Sequence, residues 1–146
     1  MNRMKSCVAI ATVIACGAVS GSLLRAAQGE KTTGTGVYTE EQAKRGETLF
    51  ADKCSSCHAP DLTGLDQAPP LTGKDFNTDW DDLSINDLFE RIRISMPADK
   101  PGSLSRPETA DLLAFILQKG SFPAGQADLP SEADGLKAIK FVAKKP

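Results

Sequence analysis

Two cysteines and one histidine fall within five consecutive residues, in the order Cys54, Ser55, Ser56, Cys57 and His58. On one turn of helix, two thiols at this spacing lie close enough for each to add to a vinyl group of the same porphyrin. The neighbouring imidazole can then bind the iron from one side as the proximal ligand. The C-x-x-C-H pattern therefore predicts one covalently attached haem c, held by Cys54, Cys57 and His58.

Two other kinds of site also use closely spaced cysteines. A thioredoxin-like redox pair needs a βαβ context, whereas the residues before Cys54 have a helical pattern. A structural zinc site needs four ligands, and only three soft candidates exist because His58 is the sole histidine of the chain. A chance occurrence of the spacing in an exported protein is the remaining alternative.

The second axial ligand of the iron is predicted by elimination. Haem electron carriers commonly pair a histidine with a methionine, which raises the reduction potential. Met96 is the only methionine beyond the N-terminal segment, and it stands before Pro97 in a loop that can present its thioether to the iron. The predicted metal ligands are therefore His58 and Met96. The alternative for Met96 is an ordinary core residue at the end of a helix.

The first 27 residues have the character of an export signal. Arg3 and Lys5 precede a run of small and β-branched apolar residues over positions 7–19. This run is shorter than the about 20 residues that a membrane span requires. We therefore expect the protein to be periplasmic or otherwise exported.

The cleavage point of this signal is open. Ala26-Ala27 is one candidate, and Cys16-Gly17-Ala18 fits the small-x-small rule better. Residues 13–16 also resemble a bacterial lipobox, in which the cysteine is lipidated and becomes the mature N-terminus. Contact with a membrane is predicted only if Cys16 is lipidated in this way.

The charge balance limits the possible partners. Loss of the three basic residues of the N-terminal segment lowers the net charge from −2 to −5. A nucleic acid partner needs a basic patch, so this class of partner is excluded. Aromatic residues make up only 5% of the chain, and a large apolar cofactor would supply part of the missing core volume.

Three capping sequences indicate where the main helices begin. They are Thr39–Gln42, Ser84–Asp87 and Ser105–Glu108. The first predicts a helix of about Glu40–Lys53, the second a helix that Pro97 ends, and the third a helix followed by Gly120 as its C′ residue. Residues 61–79 and 95–104 are predicted loops, and no strand signal is convincing.

The chain is thus predicted to be all-α and to contain one domain. An export signal covers residues 1–27, a flexible Gly/Thr-rich linker covers 28–38, the helical domain covers 39–120 and a C-terminal extension covers 121–146. The order of the domain is helix, C-x-x-C-H, long loop, helix, methionine loop, helix.

Over residues 39–129 the sequence resembles a bacterial class I cytochrome c. The matching features are Gly46 and Phe50 before CSSCH (54–58), then APPLTG (68–73), Trp80, SMP (95–97) and LSRPETADLLAFIL (104–117). The layout is similar to the small cytochromes encoded beside quinoprotein (PQQ-dependent) dehydrogenases, including FPAG (122–125) and LP (129–130). The resemblance implies a cytochrome c-like fold of three main helices and long loops around one haem.

The resemblance also implies roles for single residues. Gly46 would let the first helix cross the last one closely, with Phe50 packing near Leu112 and Phe115. The Pro69 carbonyl would accept a hydrogen bond from His58 and raise the basicity of the ring.

Two further residues would contact the cofactor. Leu71 would pack against the haem, and the indole N–H of Trp80 would donate to a propionate; plain loop packing is the alternative for Pro69, Leu71 and Trp80. Ala59 departs from the family, which often has glycine after the histidine, and it slightly crowds the turn.

The function implied is that of a one-electron carrier and not of an enzyme. A dehydrogenase, such as a quinoprotein, is the expected donor, and another cytochrome or a terminal oxidase the expected acceptor. One haem edge near Cys54 and Cys57 would stay exposed, within an apolar patch ringed by charge.

Two alternatives stay open. A haem peroxidase or gas-binding protein would need an open iron position, which Met96 would block. A permanently bound subunit of a dehydrogenase complex could use residues 121–146 to wrap a partner instead of its own core.

Overall fold

The structure, a computed structural model, describes residues 29–143. The predicted export signal, with the lipobox at Cys16, lies outside these residues. Within them the elements are β1 (Lys31–Thr32), a 3₁₀ turn (Thr33–Thr35), α1 (Glu40–Lys53), α2 (Ser55–His58), α3 (Gly73–Trp80), α4 (Ile85–Ser95), α5 (Arg106–Lys119), α6 (Ala133–Lys137) and β2 (Ile139–Lys140). The predicted all-α class is confirmed. No helix in this part of the chain has the length and apolar character needed to cross a bilayer.

Helix α1 has the predicted bounds, but its capping differs in one respect. The Thr39 side chain accepts a hydrogen bond from the Gln42 amide at 3.1 Å, as expected for an N-cap. The Gln42 side chain does not reach back to Thr39. It is buried, donates to the Leu129 carbonyl at 3.1 Å and accepts from the Leu129 amide at 2.6 Å. A buried amide side chain gains more from two partners in the core than from an exposed cap.

The other two predicted capping boxes are present. Ser84 with Asp87 and Ser105 with Glu108 each form the reciprocal pair of hydrogen bonds, at the starts of α4 and α5. At the end of α5, Gly120 has φ −72° and is the C-cap residue, whereas the left-handed position predicted for it belongs to Ser121, with φ 62°.

Helix α3, apart from its last residue Trp80, lies inside the segment predicted to be a loop. Its sequence is rich in Gly, Asp, Asn and Thr, which favour turns when only local preferences are considered. Tertiary packing decides otherwise, because Phe76 is buried and its ring centroid lies 6.1 Å from that of Phe141. Trp80, one turn later, lies 6.3 Å from Phe76.

Helices α1 and α5 form the main contact of the fold, and they cross at Gly46. A methyl group added to Gly46 would lie 1.9 Å from the Asp111 carbonyl oxygen and 2.9 Å from Cβ of Phe115, so the two backbones touch. Phe50 packs on Phe115 one turn further along, with ring centroids 5.3 Å apart. The close crossing expected from the resemblance is therefore present.

Residues 29–38 are held to the domain, although their composition predicts a flexible linker. Lys31–Thr32 pairs in parallel with Ile139–Lys140. Thr33 is fully buried, and its hydroxyl both donates to the Val142 carbonyl at 3.1 Å and accepts from the Val142 amide at 3.0 Å. These partners lie more than a hundred residues away in sequence, so local composition could not reveal them.

The C-terminal segment packs on the core of its own chain. Its buried apolar side chains are Phe122, Leu129, Leu136, Ile139 and Phe141. The buried Tyr38 hydroxyl donates to the Phe122 carbonyl at 2.7 Å, and burial raises the pKa of Tyr38 to about 12, which keeps the donor protonated. Residues 121–143 therefore complete the fold of their own chain.

The crossing at Gly46 can be tested by Gly46→Val. The added side chain must push α1 away from α5, and overpacking of this kind costs about 1–3 kcal/mol or more. Urea unfolding of the haem-loaded protein should show this loss. Glu47→Ala, an exposed neighbour on the same helix, is the control, and equal midpoints for the two variants would contradict the close crossing.

The packing of the C-terminal segment can be tested by Leu136→Ala. Removal of a fully buried leucine side chain should lower the free energy of unfolding by about 2–5 kcal/mol. Val142 is 41% exposed, so Val142→Ala should change it by about 0.5 kcal/mol or less. A segment that left the core in solution would make the two variants indistinguishable.

Candidate functional site

The end of α1 positions the two thiols and the imidazole. Cys54 is the C-cap of α1, and its amide donates to the Phe50 carbonyl at 2.9 Å. The chain then turns at once into α2, where the amides of Cys57 and His58 both donate to the Cys54 carbonyl, at 3.1 and 2.9 Å. The structure thus places Cys54, Cys57 and His58 on one turn, as the spacing predicts.

Both cysteines are free thiols, but their surroundings differ. Cys57 is exposed and Cys54 is half-buried. Burial raises the pKa of the Cys54 thiol to about 11, so this thiol is neutral near pH 7. Catalytic cysteines of disulfide oxidoreductases have lowered pKa values, and the raised pKa of Cys54 therefore does not fit a thioredoxin-like pair.

The zinc alternative also lacks support in the structure. Among residues 29–143, no three His, Cys, Asp or Glu side chains are grouped as ligands of one metal ion. Cys54, Cys57 and His58 share a turn without converging on a common point.

The His58 ring is buried and held by the chain that follows it. Its Nδ1 lies 3.0 Å from the Pro69 carbonyl oxygen, and since that oxygen can only accept, Nδ1 carries the proton. In the neutral ring the other nitrogen, Nε2, has the lone pair and is the atom that can bind a metal. The hydrogen bond expected from the resemblance is present, and its effect on a bound iron stays a prediction.

A tight loop returns Pro69 to His58. The Gly64 amide donates to the His58 carbonyl at 3.0 Å, and the Leu71 amide donates to the Leu62 carbonyl at 2.9 Å. Gly64 has φ +83°, and a methyl group there would lie 2.3 Å from the Ala68 carbonyl oxygen. Gly64 therefore shapes the loop that brings Pro69 to His58, and the sequence analysis did not single it out, although a glycine in a polar loop was the available signal.

Ala59 is strained to a degree that the sequence does not show. It follows His58 directly and has φ 60° and ψ 152°, a region that is populated almost only by glycine. The methyl group is buried, with 6% of the residue exposed. Hydrogen bonds on both sides hold the conformation, since the carbonyls of His58 and Ala59 each accept an amide, from Gly64 and Leu62.

Leu71 and Trp80 come from outside the attachment turn. Both are half-buried and pack against the core. In the described part of the chain, no atom accepts a hydrogen bond from the indole N–H of Trp80. Neither Leu71 nor Trp80 forms a hydrogen bond or a ring contact with the attachment turn (Cys54, Cys57 and His58) in these residues. Their predicted contacts with a cofactor stay predictions.

Met96 is brought to the domain by α4. It is the C-cap residue of that helix, its amide donates to the Ile92 carbonyl at 2.9 Å, and its side chain is half-buried. As with Leu71 and Trp80, no hydrogen bond in residues 29–143 joins Met96 to the attachment turn. Its role as a ligand stays a prediction.

Helix α4 is itself anchored to α5 by a charged cluster. Glu90 accepts hydrogen bonds from Arg93 and Arg106, each at 2.8 Å. These two guanidinium groups, Arg93 foremost, hold the pKa of the Glu90 carboxyl below its ordinary value. Arg106 also lies over the Phe89 ring, 4.8 Å from its centroid, so charge and packing together fix the helix that ends at Met96.

The residues present fit a covalently attached haem. Two unpaired thiols stand three residues apart on one turn, and the more exposed of them, Cys57, is accessible. The adjacent His58 has one ring nitrogen engaged by a carbonyl, which leaves the other for iron. Partly exposed apolar side chains pack beside the core and would be covered by an apolar cofactor, among them Leu49, Leu71 and Ile92.

The strain at Ala59 can be tested by Ala59→Gly. Glycine adopts this backbone without strain, so the substitution should stabilise the folded state by about 1–3 kcal/mol. This gain outweighs the stabilisation of the unfolded state by its added conformational entropy, which is about 0.4–1 kcal/mol. Urea unfolding should show a net gain of about 1 kcal/mol. Ala51→Gly, on the exposed face of α1, should instead lose up to about 1 kcal/mol. A loss for both variants would show that Ala59 is relaxed.

Comparison with known families gives a match over the centre of the chain. Residues 41–116 match the family described as "Cytochrome C oxidase, cbb3-type, subunit III". This range covers slightly more than half of the chain and includes Cys54, Cys57, His58 and Met96.

Two curated proteins are similar in sequence. Cytochrome c-551 of Bacillus subtilis (strain 168) is 35% identical over 62% of this chain and 75% of that protein. The fructose dehydrogenase cytochrome subunit of Gluconobacter japonicus is 31% identical over 68% of this chain. The match spans only 23% of that longer relative.

One solved structure is similar in fold. The sulfane dehydrogenase SoxCD of Paracoccus pantotrophus matches with a TM-score of 0.50 and 21% identity, over 74% of this chain and 62% of the matched chain. This likeness concerns the fold alone and agrees with a helical cytochrome c domain.

The attachment turn, the fold and the sequence relatives lead to the same cofactor and the same chemistry. The cofactor is covalently bound haem c, with which the C-x-x-C-H sequence is compatible, and the chemistry is haem-based electron transfer. The chain belongs to the class I c-type cytochromes.

Proposed function

We propose that this protein is an exported, periplasmic carrier of single electrons whose haem iron is bound by His58 and Met96. We further propose that it accepts electrons from a dehydrogenase and passes them to another cytochrome or a terminal oxidase. The observation that carries the proposal is the hydrogen bond between His58 Nδ1 and the Pro69 carbonyl, which leaves Nε2 available on the turn that carries Cys54 and Cys57.

His58 acts as the proximal ligand through an orientation that the protein sets in advance. The Pro69 carbonyl fixes the tautomer and the plane of the ring, and it makes Nε2 a stronger donor. Because the ring is buried and bonded, it needs little rearrangement when the charge on the iron changes. This property favours an electron carrier.

Met96 is the second residue that would bind the iron. Helix α4 ends at Ser95, directly before Met96, and the contact between Glu90 and Arg106 anchors this helix to α5, which supports a fixed starting position for the Met96 side chain. When bound, the haem supplies a one-electron iron couple, and a thioether ligand raises the potential of that couple. Met96 on the iron would close the site to small ligands, which disfavours a peroxidase or gas-binding role.

Leu71 and Trp80 are the proposed contacts with the rest of the porphyrin. Leu71 keeps part of its side chain exposed beside the core and would cover the ring. The indole N–H of Trp80, which has no acceptor in the described part of the chain, would donate to a propionate.

The proposed partners follow from relatives and from sequence. One relative is the cytochrome subunit of a fructose dehydrogenase, which supports a dehydrogenase as electron donor; a quinoprotein dehydrogenase is the kind that the resemblance favours. The predicted export signal supports the periplasmic location, with membrane contact only if Cys16 is lipidated. Since residues 121–143 pack on their own core, a free carrier is favoured over a subunit that is wrapped around its partner.

Attachment and ligation can be tested on one sample. The full chain is expressed for export with haem-maturation machinery, and its optical spectra are recorded. We expect a reduced α-band typical of haem c, pigment that resists extraction by acid acetone, and a weak near-infrared band in the oxidised form. A colourless or extractable product would contradict covalent attachment.

Ligation by Met96 can be tested by Met96→Ala. Loss of the thioether should abolish the near-infrared band, lower the potential by on the order of 100 mV and let the reduced protein bind carbon monoxide at neutral pH. Ser95→Ala, one residue away, should change none of these properties. An unchanged near-infrared band in Met96→Ala would exclude Met96 as the ligand.

A further inference from the structure

The loop that carries Met96 joins the end of α4 to the start of α5 and has little buried surface of its own. It runs over residues 96–105, all of which the structure describes. Residues 98–103 are exposed, and within this loop only Leu104 is buried. We call residues 96–105 the Met96 loop. Because so little of it is packed, its position depends on the contacts that hold its two ends.

One guanidinium group ties the two ends of the Met96 loop together. Arg106, the first residue of α5, donates from Nη1 to Glu90 Oε1 at 2.8 Å. Glu90 lies on α4, six residues before Met96. The guanidinium carbon also lies 4.8 Å from the centroid of the Phe89 ring, on the same helix. The helix before the loop is therefore fixed to the residue directly after the loop.

The same guanidinium group also binds the C-terminal segment. Arg106 Nε donates to the Ser131 carbonyl at 2.6 Å, and Glu132 Oε2 lies 3.9 Å from that nitrogen. Arg106 thus contacts both α4 and the C-terminal segment from its place at the start of α5. A guanidinium group presents its donors in a rigid planar fork, so these contacts fix the relative orientation of three parts of the chain.

The charges around this contact are nearly balanced. Two cations, Arg93 and Arg106, face Glu90, and two carboxylates, Glu90 and Glu132, face Arg106. Arg106 Nη2 is buried and has no hydrogen-bond partner among the described residues. A buried donor without a partner lowers the net stability that such a pair contributes. We therefore expect loss of the pair to affect the Met96 loop more than the stability of the whole fold.

We propose that Arg106 is a positioning residue for Met96, and that through it the C-terminal segment sets how firmly the thioether is held on the iron. The proposal rests on the proposed function, in which Met96 is a ligand. Opening of the Met96 loop moves the thioether away from the iron while the rest of the fold stays intact. The contacts of Arg106 oppose this local opening because they hold both ends of the loop.

The test measures how readily an added ligand replaces Met96. Imidazole is titrated into the oxidised, haem-loaded protein at neutral pH. Its nitrogen forms a bond to the iron as the bond from the Met96 sulfur breaks, and no electron is transferred. Loss of the near-infrared band reports the exchange, and urea unfolding and the reduction potential are measured on the same samples.

The variants separate the charge of Arg106 from its geometry. Arg106→Gln removes the charge and the fork, whereas Arg106→Lys keeps the charge and loses the fork. The control is Arg45→Gln. Arg45 likewise joins a helix to α5 and to the C-terminal segment, through Asp111 at 2.9 Å and Asp128 at 2.8 Å, but its helix is α1, which does not carry the Met96 loop.

We expect Arg106→Gln to bind imidazole about tenfold more tightly than the unmodified protein, because opening of the loop then breaks fewer charged hydrogen bonds. Its potential should fall, since a weaker thioether bond favours the oxidised iron. Arg106→Lys should be intermediate, and Arg45→Gln should change neither property. Addition of Glu90→Gln to Arg106→Gln should have little further effect, because both changes remove the same contact.

Two outcomes would overturn the proposal. Equal imidazole affinities of Arg106→Gln and Arg45→Gln would show that general loosening, and not Arg106, governs Met96. Easier urea unfolding of Arg106→Gln without tighter imidazole binding would leave Arg106 a purely structural role. If Arg106→Gln does not fold, the same comparisons are made with Arg106→Lys. Failure of the proposed function would look different, because the unmodified oxidised protein would lack the near-infrared band before imidazole is added, and both proposals would then fall.

Discussion

The contact between α1 and α5 at Gly46 is the constraint on which the site depends. Helix α5 is the most buried helix of the described chain, with every residue from Leu112 to Leu117 inside the core. Helix α1 lies directly on it because Gly46 has no side chain to hold the backbones apart. Cys54 follows Gly46 by two turns of rigid helix, and Phe50 on Phe115 sets the rotation between them. The position of the first thiol is thus determined by a contact eight residues away.

After Cys54, the backbone that orients His58 is locally strained. Within eight residues of His58, the non-glycine residues Ala59, Leu62 and Asp66 all have positive φ. Such strained conformations persist only where several surrounding contacts together hold the backbone in place. Here those contacts are the bonds from Gly64 to His58 and from Leu71 to Leu62. As a result, the imidazole donates its hydrogen bond directly to a backbone carbonyl, that of Pro69, and not to a side chain that could rotate.

The segments on either side of the predicted domain supply aromatic and other buried side chains to a core that has few aromatic residues. Few aromatic residues are available, yet Phe122 and Phe141 pack edge to face at 5.2 Å, and Phe141 also contacts Phe76. The C-terminal segment therefore contributes to the core that supports α3 and Trp80. Residues 31–33 hold this segment in place through β1 and the Thr33 hydroxyl. A cofactor adds to this core, but it is not the only source of its volume.

Local chemistry explains what the sequence by itself determined. The attachment turn could be predicted because Cys54, Cys57 and His58 act within a single turn, and the starts of α1, α4 and α5 because each cap involves residues three apart. The family resemblance added Gly46, Phe50 and Pro69, whose contacts the structure contains. Only the tertiary structure decided that Gln42 binds Leu129, 87 residues away, that residues 73–80 are helical, that Ala59 is strained and that both terminal segments join the core. These features depend on groups brought together by the packing of the whole chain, and the local preferences of their own segments favoured a cap, a loop, a relaxed turn and a linker instead.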